Sequence, residues 1–225
     1  VAGSERGSEG DEGAPGRARL DALEAPLLSR EGVRHAFFGR RGGASEGPFA
    51  SLSFTITGGD EPGRVRSNRA RAAERLGVGE RHLVYPSQVH GVGVLEAARE
   101  LTPEGALAVE ADVVVSNDPL VACGVRSADC VPVLLACAST GWVAAVHSGW
   151  KGTVAGVVEV GVRALETRGA RSHGLVAAVG PHLEACCFEV GAEVARALAG
   201  SAPHGGAALS WGPALAPGEA RFTRR

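Results

Sequence analysis

Two apolar runs dominate the middle of the chain, Val131–Cys137 and 142–146, separated by Ala138, Ser139, Thr140 and Gly141. Each is short for a helix and about right for a buried strand. A linker of this length joins antiparallel strands. Folding a hairpin about it pairs positions whose numbers sum to about 279, so His147 faces Pro132. Cys130 then lies one diagonal step from His147 on the same face, about 7–8 Å away. Asp129 and Cys130 open the first strand and His147 closes the second, so all three fall at the open end of one hairpin.

The rest of the chain mixes strand-like and helix-like patterns. Residues 35–38 read as a short strand entering a Gly-rich turn, and 51–56 alternate polar and apolar like a half-buried strand. Ser67 is a natural cap for a helix over 68–76 that Gly77 stops. Residues 84–95, 112–115 and 121–126 are β-rich, the last two separated by a turn at Asn117, Asp118 and Pro119. Val154, Val157, Val158, Val162 and Leu165 recur at helical spacing opposite Glu159, Arg163 and Glu166, with Thr153 as cap and Gly169 as stop. Residues 175–180 read as a buried strand and 192–198 as a last helix. There is no strict βαβ rhythm and several strands look hairpin-linked, which predicts an α+β fold. No G-x-G-x-x-G joins a strand to a helix, so a dinucleotide site is not supported. Residues 1–19, rich in Gly, Glu, Ser and Arg, predict a disordered tail. Residues 20–199 form one domain, and 200–225 are weakly structured or atypical.

Composition narrows the function classes. With 44% hydrophobic and 21% charged residues and a net charge of -2, the chain is an ordinary globular protein with no general affinity for nucleic acid or membrane. Only 4% of residues are aromatic, which also argues against a base-stacking surface. No apolar run approaches the roughly 18 residues of a membrane helix. The five cysteines are odd in number, two are adjacent, and no secretory leader stands ahead of them. That usage fits a reducing compartment, the cytoplasm.

The candidate chemistry gathers at three residues. His90, in a Gly-flanked segment with Gln88, joins Cys130 and His147 to give two imidazoles and a thiol. Such a set suits zinc, or copper, with one position open for water or substrate. Each residue taken alone also reads as structural. The equal spacing of Cys123, Cys130 and Cys137 does not match a structural zinc motif, and it alternates faces along a strand. Two Gly-rich stretches can cradle an anion: HSGWKG with Lys151, and GRRGG with Arg40 and Arg41.

The blocks HAFFGRRGGASEGPFASLSF, GDEPGRVRSNRARAAERLGV, LVYPSQVHG, RSADCVPVLLA, VAAVHSGWKGTVAGVV and VGPHLEACCFEVG occur in this order over about residues 35–195. In them the chain resembles the YfiH or laccase-domain family, known also as polyphenol oxidase or purine nucleoside phosphorylase. The resemblance implies a four-layer α/β/β/α sandwich with mixed sheets, akin to a bacterial deamidating toxin with a Cys–His pair. It implies that His90, Cys130 and His147 are the metal-binding or catalytic set. It implies phosphorolysis of adenosine, inosine, guanosine and methylthioadenosine, with adenosine deamination besides. An older label in the same family is copper-dependent oxidation of phenols. The expected partners are purine nucleosides and inorganic phosphate. Deamination needs a water activated at neutral pH, which a metal with an open position supplies. Phosphorolysis needs a held phosphate, for which Arg40, Arg41 and the turn at Lys151 are candidates, and Gln88 is a further candidate for binding substrate or phosphate. Asp129 would orient a ligand or assist proton transfer. A metal-free Cys–His amidase, with Cys130 as nucleophile and His147 as base, and a non-catalytic metal-binding relative are the alternatives. The family continues past this point with a further strand–helix–strand section, and the chain instead ends in EARFTRR, so the C-terminal part is expected to be incomplete. His182 and Phe188 stand where the family more often has a small residue or Cys, and Tyr.

Overall fold

The structure, a computed structural model, describes residues 19–55, 58–184 and 187–201, and the backbone of 219–221. Its elements in order are β1 (Ala22–Leu23), α1 (Pro26–Arg30), β2 (Phe37–Phe38), α2 (Pro62–Leu76), β3 (Leu83–Val84), β4 (Val94–Glu96), α3 (Pro103–Leu107), β5 (Val113–Ser116), β6 (Ala122–Cys123), β7 (Val131–Cys137), β8 (Trp142–Ser148), α4 (Trp150–Val154), α5 (Val157–Glu166), β9 (Val176–Val179), β10 (Glu189–Gly191), α6 (Ala192–Ser201) and β11 (Glu219–Arg221). The expected tail lies outside the described residues except for Arg19, as does most of 200–225.

A five-stranded mixed sheet in the order β4-β5-β8-β7-β9 carries the core, with β4 and β5 parallel and the other neighbours antiparallel. Smaller two-stranded pairs are β1-β2, parallel β3-β6 and β10-β11. The fold is thus mixed α+β, as the pattern predicts. The centre of the sheet is apolar at consecutive positions because both its faces are covered. Val113, Val115, Val133, Leu135 and Val146 pack with Val157 and Leu165 of α5. Val114, facing the other way, packs with Leu95, Ala106 of α3 and Val84 of β3. Gly161 lets α5 approach closely: a Cβ there would meet Val146 Cγ2 at 2.8 Å.

Several elements differ from the sequence pattern for traceable reasons. The β7–β8 hairpin has the expected register, with Pro132 opposite His147 and Gly141 turning at a φ of 73°. Residues 51–55 are not a strand. Buried Asn68 holds that loop, its Nδ2 meeting Ser45 Oγ at 2.8 Å, Ser51 O at 3.2 Å and Ser53 O at 2.9 Å while Oδ1 accepts from Ala44 N. The alternating polar positions therefore serve a side-chain anchor rather than a ladder. Helix α2 starts earlier than expected, at Pro62, because Pro at the first turn and the Glu61 side chain on Gly63 N make a better start than Ser67. Gly77 does end it, in the left-handed region. The predicted helix after Gly152 is split. Thr153 closes α4 by donating to the Gly149 carbonyl, and Gly156 at a φ of 76° starts α5 anew. Residues 85–93 are loop between β3 and β4. Strand β9 is an edge strand with Val179 54% exposed, not a buried one.

Candidate active site

The site forms where the open end of the β7–β8 hairpin meets the loop before β4. His147 is the penultimate residue of β8, which lies between β5 and β7, so its end is buried and His147 is 3% exposed. Its backbone N donates to the carbonyl of Asp112, the residue that precedes β5, at 2.7 Å. The Asp112 side chain, fully buried, turns back to the same residue, with Oδ1 2.7 Å from His147 Nδ1. Burial pushes the imidazole below its ordinary value, although the Asp112 contact opposes this. The neutral ring therefore donates Nδ1–H to the carboxylate and leaves the Nε2 lone pair for a ligand.

Asp112 also builds the neighbouring loop. Its carboxylate accepts from the backbone N of Val89 at 3.2 Å, His90 at 3.1 Å and Gly91 at 2.7 Å. Three converging N–H groups need a chain reversal, and His90 sits at a φ of 61°, a left-handed conformation uncommon for a residue with a Cβ. The segment is thus not extended, and Gln88 and His90 do not project as an extended strand would place them. His90 is exposed, and its ring meets that of His147 edge to face, with centroids 4.9 Å apart.

Cys130 enters from the turn before β7. Ser127 Oγ bonds the Cys130 carbonyl, and Leu183 N donates to the Asp129 carbonyl at 3.0 Å, which anchors the turn to the segment after β9. Cys130 Sγ is 3.9 Å from His90 Nε2. Gly149 closes the floor: a Cβ there would lie 2.5 Å from His90 Cδ2 and 3.2 Å from Cys130 Sγ. Burial raises the Cys130 thiol, and the charges of Asp129 and Asp112 add to the effect. The thiol is protonated at neutral pH unless a cation displaces the proton.

The structure brings His90, Cys130 and His147 together, one donor atom from each lying within 4.8 Å of the others. Tetrahedral zinc with bonds of about 2.0–2.3 Å sets its ligand atoms roughly 3.3–3.7 Å apart. The Cys130–His90 distance is near that range, and exposed His90 is free to close the rest. The donor set, with one imidazole oriented by a buried carboxylate, fits a metal ion.

The other candidates lie differently. Gln88 commits both ends of its amide to Arg126, Nε2 donating to the Arg126 carbonyl and Oε1 accepting from its N, each at 2.7 Å. It thereby ties the His90 loop to the turn that carries Cys130. Asp129 is exposed beside Cys130. Lys151 is exposed in α4, its Nζ 5.7 Å above the Trp150 ring. Arg40 and Arg41 are exposed on the loop after β2, and Arg40 Nε and Nη2 both donate to the Ala50 carbonyl. Asp112 carries no motif in the sequence that marks it as part of a site. The available signal was an acid at the head of an apolar run, the same oddity that marks Asp129 before β7.

Residues 34–215 match the family model of multi-copper polyphenol oxidoreductase laccases. A purine nucleoside phosphorylase of Streptomyces coelicolor is 42% identical over 193 residues, covering 83% of this chain and 78% of the relative. The purine nucleoside phosphorylase YfiH of Shigella flexneri is 39% identical over 170 residues, covering 75% of this chain and 68% of the relative. The crystal structure of YlmD from Geobacillus stearothermophilus superposes with a TM-score of 0.73 at 29% identity, covering 92% of this chain and 73% of that one.

Proposed function

The chain belongs to the laccase/YfiH family, and we propose that it splits purine nucleosides with inorganic phosphate at the His90, Cys130 and His147 site. In that reaction a phosphate oxygen bonds to C1′ of the ribose while the bond from C1′ to the purine nitrogen breaks. The bonding electrons leave with the base, which takes up a proton, and ribose 1-phosphate remains. The observation that carries the reading is the oriented donor cluster, in a chain whose relatives bear the name purine nucleoside phosphorylase. The substrates proposed are adenosine, inosine, guanosine and methylthioadenosine, with deamination of adenosine as a second activity.

The metal we propose is zinc, with copper as the other candidate for a set of two imidazoles and a thiolate. When bound, it supplies a Lewis acid with an open position. The protein's own part is orientation. Asp112 fixes the proton of His147 on Nδ1, holds the His90 loop in its reversed form, and leaves Nε2 of His147 facing the cluster. A location in the cytoplasm is proposed from the cysteine usage, Cys123, Cys130 and Cys137 carrying no disulfide. The four-layer sandwich is likewise proposed from the family likeness.

One observation bears on the metal-free Cys–His amidase. Cys130, His147 and Asp112 have the residue types of a catalytic triad, yet burial and two acids raise the thiol, the opposite of nucleophile activation. The two readings part on simple chemistry. Purified protein incubated with adenosine and phosphate is expected to give adenine and ribose 1-phosphate, and with adenosine alone, inosine. Chelation is expected to stop turnover. Turnover that survives chelation but not thiol alkylation would overturn the metal reading in favour of the amidase type. A folded, metal-loaded sample that forms neither product would leave only the non-catalytic relative.

A further inference from the structure

We infer that Arg126, backed by Tyr85 and Arg69, forms an oxyanion subsite beside the His/Cys/His cluster, and that its ligand is inorganic phosphate. The identity of the anion rests on the phosphorolysis reading; the subsite rests on the residues below.

Arg126 is a half-buried cation with no carboxylate partner among the described residues. Three other half-buried arginines do have one: Arg64 meets Glu46, Arg69 meets Glu80 and Arg168 meets Glu96. A guanidinium carries five N–H donors, and an unpaired charge taken from water is costly. Arg126 is poorly compensated. Its Nη1 and Nη2 reach the carbonyls of Phe54 and Pro86 at 3.4 Å, the outer edge of a hydrogen bond, and its buried Nε has no partner among the described residues. The guanidinium lies 5.1 Å above the Tyr85 ring.

Tyr85, beneath the Arg126 guanidinium, is itself unusual. Tyr85 is 4% exposed, and its hydroxyl has no hydrogen-bond partner among the described residues; neither has the buried Nε of Arg69. Burial raises the Tyr85 hydroxyl; the positive charges of Arg69 and Arg126, and a close approach of the Arg69 side chain to the hydroxyl short of good hydrogen-bond geometry, act against that rise, so the two guanidinium groups share its surroundings. Unused donors on two cations and a phenol, gathered at one place, match the several oxygens of a tetrahedral anion. The planar Arg fork is the side chain best shaped to grip two of them.

The place is right for the reaction. Arg126 is bonded through its backbone to Gln88, two residues before His90, and Cys130 follows four residues later. A phosphate on this guanidinium would therefore lie at the border of the cluster. By contrast Arg40, Arg41 and Lys151 are exposed, and Arg40 already uses Nε and Nη2 on Ala50.

The test is phosphate binding by calorimetry on the full chain, with sulfate as competitor, followed by kinetics. Wild type is expected to bind phosphate. Arg126→Gln is expected to weaken it by about ten- to a hundredfold, the loss of charge-assisted hydrogen bonds. Arg126→Lys, which keeps the charge without the fork, and Tyr85→Phe, which removes only a hydroxyl, are expected to weaken it less. In turnover, KM for phosphate rises in step while KM for adenosine stays within about twofold. Circular dichroism and metal content establish folding. Should Arg126→Gln not fold, Arg126→Lys and Tyr85→Phe decide the matter. Absent phosphate binding by wild type, or an unchanged phosphate Kd in the folded variants, overturns the subsite. Phosphorolysis with an unchanged phosphate KM overturns the subsite and spares the proposed function. Phosphate bound through Arg126 without phosphorolysis does the reverse.

Discussion

The two histidines of the site are held in opposite ways. His147 belongs to the sheet: it ends a central strand, is 3% exposed, and has its ring fastened to a buried carboxylate. His90 belongs to a loop, is exposed, and takes a left-handed conformation. Cys130 resembles His90 in standing on a turn, anchored through Ser127 and through Leu183 on Asp129. Asp112 alone spans the difference, bonding the ring of one histidine and the backbone around the other. The site thus pairs a rigid wall with an adjustable one. The rigid wall sets direction, and the adjustable wall can close on a ligand.

Removing the shared carboxylate should abolish the contrast. Asp112→Ala leaves three loop N–H groups and the His147 ring without their acceptor, and it is expected to cost about 3–5 kcal/mol in urea unfolding, with loss of bound metal. A stability within error of wild type would show that Asp112 does not organise both walls. The histidines themselves should then separate. His147→Ala opens a buried hole beside an unpaired carboxylate and is expected to cost about 2–4 kcal/mol, whereas His90→Ala changes stability by about 0.5 kcal/mol or less. Both should lose metal, measured by elemental analysis. Equal destabilisation by the two would erase the distinction between wall and loop.

Gly149→Ala sharpens it further. The added Cβ would press on His90 Cδ2 and Cys130 Sγ, and the exposed His90 ring is the part that can give way. Metal affinity is expected to fall about ten- to a hundredfold, with stability within about 1 kcal/mol of wild type. A variant that unfolds instead would place Gly149 with the rigid wall. The smallest effect concerns pH in the metal-free protein. The unfolded chain's imidazole takes a proton as pH falls through 6.5, while the buried His147 ring resists until lower pH. The unfolded state then binds more protons, so stability is fully present above that value and declines as pH falls below it. The urea midpoint should drop on going from about pH 7.5 to 5.5, and His147→Gln should flatten the drop. An identical slope in the variant would mean that other groups carry the pH dependence.

Legibility followed the same division. The β7–β8 register could be read because a short linker and two apolar runs leave little freedom, and one slip would turn every side chain to the wrong face. The strand expected at 51–56 was misread because alternation does not say whether polar positions face water or a buried Asn68. The split between α4 and α5 was hidden because Gly156 looks tolerable within a helical pattern until its φ of 76° is known.

By itself, then, the sequence determined the mixed α+β class and the central hairpin that sets Cys130 beside His147, while His90 joined them as a candidate through the family resemblance. Residue type, apolar runs and loop length are local properties, and the first two features depend on little else. Only the tertiary structure decided that Asp112 joins the two walls, that Gln88 ties the loops together, and that Arg126 meets no carboxylate among the described residues. Those facts depend on which distant groups meet once the sheet is built: Asp112 is 35 positions from His147 in the chain and 2.7 Å from it in space. Periodicity along a chain carries no record of such pairings, because hydrogen bonds and charges are satisfied across elements rather than within them.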